Sequence, residues 1–301
     1  MKSSPTLHAN PAIPFLVAAV GICFFSMMDV AMKSLSISMG AFSAVFWRNI
    51  IGTVMAGAPY LAMRQPWPKP DVMRLHMKRS IVVAIMAVMF FWALARLPIA
   101  EAIGLSFFAP VIALYLAAIL LGEKIGKEAI IASVTGIAGV AIIVSAKFSG
   151  DYEEEALWGT VAVMISACLF AYNLILAREQ AQQAEPLEIA FFQNLLTAAT
   201  LAIAAPWFLD GLQADKIPLL SGAAALAIIS VLLLSWAYAR AEAQILIPVE
   251  YTAFAWAAIF GWYFFAEAVT WPTIVGTALI VAGSVVAARA KPNPPAAAEI
   301  G

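Results

Sequence analysis

Residues 21–33, GICFFSMMDVAMK, return at 166–178 as SACLFAYNLILAR. At this offset of 145, Cys23 falls on Cys168, Phe25 on Phe170 and Lys33 on Arg178, and further along Phe46 falls on Phe191 and Asn49 on Asn194. Later in each half an offset of 144 brings Trp92 onto Trp236, Arg96 onto Arg240, Glu123 onto Glu267 and Gly139 onto Gly283. A nearly constant offset over half the chain is what a gene duplication leaves, so the chain reads as two repeats, residues 1–150 and 151–301. If each repeat crosses a membrane an odd number of times, the second lies upside down relative to the first. Many secondary transporters build a site that can open to either side in this way.

Composition sets the class. The chain is 63% hydrophobic and 12% charged, with a mean hydropathy of +0.91, whereas a soluble domain carries about 25% charge. A span needs about 20 apolar residues, and ten stretches qualify: 12–35, 41–63, 78–97, 99–121, 128–147, 156–178, 187–208, 217–240, 243–267 and 271–289. Five fall in each repeat. The short alternating segments of a membrane β-barrel do not occur, so the expected fold is an all-α integral membrane protein of ten transmembrane helices in two inverted five-helix repeats.

The basic residues orient it. With the N-terminus inside, cytoplasmic ends carry Lys2, Arg64, Lys69, Arg74, Lys78, Arg79, Lys124, Lys127, Arg178, Arg240, Arg289 and Lys291, which is 12 of the 17 Lys and Arg. The outer side receives Lys33, Arg96, Lys147 and Lys216, and this asymmetry predicts both termini in the cytoplasm. The first apolar stretch is too long for a signal peptide and contains Asp29 and Lys33, so it is expected to remain as a helix. Its expected place is a bacterial cytoplasmic (inner) membrane. Neither the loops nor the Pro- and Ala-rich tail after Lys291 hold a phosphate-binding loop, and the two cysteines with His8 and His76 make no metal-ligand spacing. With both histidines read outside the spans, no catalytic cluster stands at membrane depth. The expectation is a protein that is not an enzyme, with no cofactor, no metal and no nucleic acid.

Each half ends in the same way, with Gly122–Glu123 or Ala266–Glu267 followed by a Gly-rich helix bearing Gly136 and Gly139 or Gly276 and Gly283. In this paired pattern the chain resembles the drug/metabolite transporter superfamily, in its EamA-type exporter branch, and most of all the exporters of aromatic and other hydrophobic amino acids. The resemblance implies a secondary transporter exporting small metabolites by alternating access, with its pathway among spans one, three, four, six, eight and nine. S-adenosylmethionine, a nucleotide sugar or a drug are alternative cargoes, although a large anion would want more buried cations than Arg48. A channel is the less favoured alternative.

Ionisable groups inside spans are costly unless they face a partner or water. Asp29 and Arg48 stand at similar depth in spans one and two and can pair, either as a structural tie or as an outer gate or zwitterion contact. Glu250 lies in span nine, two residues after Pro248, which frees a backbone carbonyl near Gln244. It is read as a substrate-ammonium or proton site, or as a carboxylate at the inner interface. Tyr172 and Asn173 replace Met27 and Met28 of the first repeat and are candidates for a pocket, whereas Asn49 and Asn194, present in both, are read as helix-binding groups. Trp92 and Trp236 are repeat-equivalent and a turn inside their spans; with Tyr238 and Tyr251 they could stack on an aromatic side chain or hold an ammonium. Pro110 and Pro248 are candidate hinges. The partners expected are an amino-acid-sized substrate and lipid. A monomer is expected, with the glycine faces of spans five and ten serving as scaffold or as the surface of a homodimer.

Overall fold

The computed structural model describes residues 12–121, 127–148, 154–238 and 249–288. The elements run α1 Ala12–Met39, α2 Ala41–Ala62, α3 Pro70–Leu94, α4 Ile99–Ser106, α5 Ala109–Leu121, α6 Lys127–Phe148, α7 Glu154–Ala181, α8 Pro186–Ala202, α9 Ala205–Phe208, a single 3-10 turn at Ala214–Lys216, α10 Ile217–Tyr238, α11 Thr252–Phe265 and α12 Trp271–Ala288. Among the described residues every element is helical, and four helices are individually long and apolar enough to cross a membrane, Ile13–Met39, Pro70–Leu94, Glu154–Ala181 and Ala214–Ala237. The chain is a multi-pass membrane protein.

Local chemistry sets several boundaries. Gly40 separates α1 from α2 with φ 78° and ψ 144°, a conformation that glycine adopts readily and L side chains avoid. Pro70 occupies the first turn of α3 with Asp71 beside it, a residue set that suits the positive end of a helix. The helix therefore starts at Pro70 and not at the expected 78. This earlier start draws His76 into the bundle, where it is fully buried, so the reading that placed it outside the spans is corrected. The stretch expected as span four is split: Phe107 and Phe108 form a turn between α4 and α5.

The helices pair along their lengths as α1 with α10, α3 with α7, α2 with α8 and α6 with α12. At one end of the bundle, Lys33 near the end of α1 reaches the carbonyl of Leu97 just past α3, so α1 and α3 run the same way. Arg96 also meets Glu155 at the start of α7, at 3.4 Å. At the other end Gln180, close to the end of α7, contacts His76 near the start of α3, so α7 runs against α3.

Alanines fill much of the interior, including Ala44, Ala84, Ala93, Ala102 and Ala223, around Met32, Leu35, Leu94 and Leu105. Lipid tails are as apolar as leucine, so helices in a bilayer gain by close approach more than by hiding apolar surface, and small residues permit it. The approach is close between α6 and α12, where Gly139 lies on the carbonyl of Gly276 and a methyl on Gly139 would stand 2.7 Å from Ile280 Cγ1. The glycines read as scaffold or dimer surface are thus used within the chain.

Candidate substrate pathway

Two helices are interrupted at the same place in the repeat. Pro110 lacks an N–H and its ring crowds the carbonyl four residues back, so Ser106 cannot continue α4 into α5, and the chain turns at Phe107 with φ −65° and ψ −5°. One repeat on, at offset 144, Tyr251 forms a turn between helical residues Val249 and Glu250 and the start of α11, with φ −70° and ψ −14°. Thr252 Oγ1 donates to the Val249 carbonyl at 2.6 Å, meeting an acceptor that the break exposes. Phe107 and Tyr251 touch, edge to face, with ring centroids 5.2 Å apart and planes at 87°. A residue in contact with its own repeat equivalent lies on the axis relating the repeats. Discontinuous helices meeting in this way are how transporters place polar backbone at a binding site inside a membrane.

A second feature is a polar stripe on α1. Ser26, Asp29, Lys33 and Ser36 are spaced by three, four and three residues, share one helical face and are all buried. Asp29 is 2% exposed, and its Oδ1 has no hydrogen-bond partner among the described residues; the same holds for Arg48 Nε. Arg48 Nη1 approaches Met28 Sδ at 3.7 Å. Among the described residues no nitrogen–oxygen contact within 4.0 Å joins Asp29 to Arg48, which corrects the expectation of a closed pair. Lys33, counted above among the outer charges, is 4% exposed within α1; it donates to the Leu97 carbonyl at 2.6 Å and pairs with Glu267. The other oxygen of Glu267 accepts the N–H of Ile99, at the start of α4, at 2.8 Å. Glu101, in the first turn of α4, is buried nearby. The neighbouring face of α1, with Met27, Val30, Ala31 and Ser34, lines an apolar crevice of about 310 Å³ against Gly222 and Phe265.

The opposite end holds a network that links α3, α7 and α8. Arg79 Nε donates to Asn173 Oδ1 at 2.9 Å and Arg79 Nη1 to Gln180 Oε1; Gln180 Nε2 meets His76 Nδ1, and His76 Nε2 meets Glu188 Oε1 at 3.0 Å. Of these partners, the sequence reading singles out Asn173 alone. The signal for the others lies in polar residues at helical spacing, His76 and Arg79 on α3 and Asn173 and Gln180 on α7, and a span that begins at 78 leaves His76 off the helix and hides it.

The remaining candidates are dispersed. Arg96 lies 3.7 Å from the ring centroid of Trp92 and donates to the Trp92 carbonyl at 3.1 Å. Trp236, its repeat equivalent, is exposed on an apolar groove with Val17 and Leu233. Lys78 sits 5.3 Å over Tyr172. Glu250 is exposed directly beside the Tyr251 turn. Pro110 is in the first turn of α5, whereas Pro248 and the Tyr238 side chain fall outside the described residues. The structure thus brings Glu250 and Tyr251 together and leaves Trp92, Trp236, Tyr172 and Asn173 apart from them.

Comparison with known proteins finds the repeat again. The model of the EamA-like transporter family matches twice, over residues 12–145 and 157–289. The pseudopaline exporter of Pseudomonas aeruginosa is 27% identical over 280 residues, covering 92% of this chain and 96% of that protein. A riboflavin transporter of Brucella anthropi is 25% identical over 250 residues, 79% of this chain and 84% of that one. A solved crystal structure superposes with a TM-score of 0.61 at 20% identity, over 92% of this chain and 96% of the other.

Proposed function

Since the chain belongs to the EamA-like transporter family, we propose that it is a secondary transporter exporting small organic metabolites, foremost amino acids with aromatic or other hydrophobic side chains, by alternating access. The observation that carries this reading is the contact of Phe107 with Tyr251 at matched helix breaks. It supports ten spans in two inverted repeats, and the opposite directions of α1 and α7 relative to α3 support the inversion. The asymmetry of Lys and Arg supports an inner-membrane protein with both termini cytoplasmic, the Lys33 end facing outward and the His76 end inward.

In this reading Asp29 and Arg48, buried opposite charges with unmet hydrogen-bonding capacity, receive the ammonium and carboxylate of a zwitterion. The apolar face of α1 and the aromatic turn at Tyr251 receive the side chain. Glu250, beside that turn, serves as a further cation or proton site. Pro110 and Pro248 supply the bends about which spans four and nine rock. Trp92 and Asn173, engaged by Arg96 and Arg79, hold the helices that form the walls.

The test is uptake of labelled amino acids by purified protein in liposomes, with and without a pH gradient. Saturable uptake of aromatic and aliphatic amino acids is the expected result. Uptake of none of them would overturn the amino-acid assignment. A second reading, export of a larger metabolite, is favoured by the likeness to the pseudopaline exporter along 92% of the chain. Pseudopaline and riboflavin in the same panel would distinguish it.

A further inference from the structure

Lys33 binds three pieces of chain at one end of the bundle. Its ammonium holds the Leu97 carbonyl and the Glu267 carboxylate, and Glu267 in turn holds the Ile99 N–H, so α1, the junction of α3 with α4, and the end of α11 meet at one point. Leu97 and Ile99 belong to the first repeat and Glu267 to the second. Gly261 makes room for the carboxylate, since a Cβ there would stand 2.8 Å from Glu267 Oε2. No movement that parts the repeats at this end can occur while the junction holds.

A buried ammonium cannot simply be released, because removing one partner of a buried ion pair leaves the other charge uncompensated. It needs a second partner within reach. Asp29 is four residues earlier on the same buried face of α1, the spacing at which helical side chains meet, and a long side chain on a helix leans toward the N-terminus, which here is toward Asp29. Asp29 Oδ1 has no partner among the described residues.

We propose that Lys33 is a two-partner switch: paired with Glu267 it latches the repeats together at its end of the bundle, and paired with Asp29 it lets that end open. Arg48 from α2 and Glu101 from α4 face the same region and complete its charge set. Each charge of the pair recurs in the other repeat, Arg178 in the second for Lys33 and Glu123 in the first for Glu267, the latter outside the described residues. Asp29 aligns with Leu174, so only the first repeat supplies the second partner. This inference rests on the alternating-access reading and assigns one closing contact to it.

Accessibility from each side of the membrane tests it. In a background carrying Cys23→Ser and Cys168→Ser, the substitution Ser26→Cys puts a reporter thiol one turn below Asp29 on the same buried face, and Ala56→Cys, buried near the other end, supplies the control thiol. The reagent is a membrane-impermeant maleimide applied to intact cells and to inverted vesicles. Glu267→Gln is expected to raise labelling of the thiol at position 26 from the Lys33 side about tenfold and to leave the thiol at position 56 protected. Adding Asp29→Asn should return labelling to the parental rate. Unchanged labelling in Glu267→Gln, or equal exposure of the control position, would overturn the latch; fast labelling that persists in the double variant would overturn the role of Asp29. Failure of the parental protein to take up any metabolite in liposomes would count against the transporter reading alone and leave the labelling result to decide the switch.

Discussion

Arg79 donates to the amide oxygen of Gln180, and this bond fixes which end of the amide faces His76. With Oε1 committed to the guanidinium, the amide N–H is presented to His76 Nδ1, which must accept. His76 Nε2 then carries the proton and donates to Glu188. The chain of bonds has one consistent polarity from α3 to α7, back to α3 and on to α8.

Gln180→Leu cuts that chain twice, taking one buried partner each from Arg79 and His76. Loss of buried hydrogen bonds to a charged group costs about 1.5–3 kcal/mol, so the thermal unfolding midpoint in detergent should fall by several degrees. An unchanged midpoint would mean the network adds nothing to stability.

Asp29→Asn and Arg48→Gln test the zwitterion site. If each group meets a charge on the substrate, losing one charge-assisted bond of about 1.5–3 kcal/mol raises KM roughly 10- to 100-fold with the melting temperature held. Lower expression and a lower melting temperature with unchanged KM would instead identify a structural tie.

The aromatic contact on the axis is suited to a double-mutant cycle. Phe107→Leu and Tyr251→Leu should couple by about 0.5–1.5 kcal/mol in unfolding free energy, and Phe107→Tyr, which makes the two repeats identical here, should transport normally. Additive effects of the two leucines would show that the rings do not interact.

Two glycines should respond oppositely to alanine. A methyl on Gly57 would stand 2.8 Å from Cε2 of Phe191, which is itself stacked on Tyr60 with centroids 5.0 Å apart, so Gly57→Ala should cost about 1–3 kcal/mol through overpacking. A methyl on Gly222 meets nothing within 4 Å, and Gly222→Ala should gain up to about 1 kcal/mol from helix propensity. Thermal unfolding of the two variants side by side measures both.

Much of the fold is legible in the sequence because long apolar stretches and a constant repeat offset do not depend on which face of a helix packs where. The helices from Ala41, Ile217 and Trp271 begin where the expected spans begin. Depth is harder to read. Lys33 reads as a charge at the outer end of its span and His76 as a residue outside the membrane, because a charge near a span end can snorkel or turn inward, and only the neighbours decide; for Lys33 those neighbours are Leu97 and Glu267, 64 and 234 residues away in sequence. The two helix breaks are suggested by Pro110 and Pro248, which are not repeat-equivalent, one following its turn and the other preceding it. The turns themselves, at Phe107 and Tyr251, are equivalent and share their backbone angles. Proline marks the neighbourhood, and the register comes from the repeat.

The seam between α6 and α12 has a practical use. With Gly139 on the Gly276 carbonyl and Ile143 and Ile280 closing over both, the two helices have no slack to slide past each other without a clash. In the alternating-access reading they form a rigid ruler inside a molecule whose other helices move. Spin labels or fluorophores at Ile130 and Val275, both exposed on this pair, should keep one separation through the transport cycle, giving any spectroscopic study an internal reference against which the motion of the remaining helices can be measured.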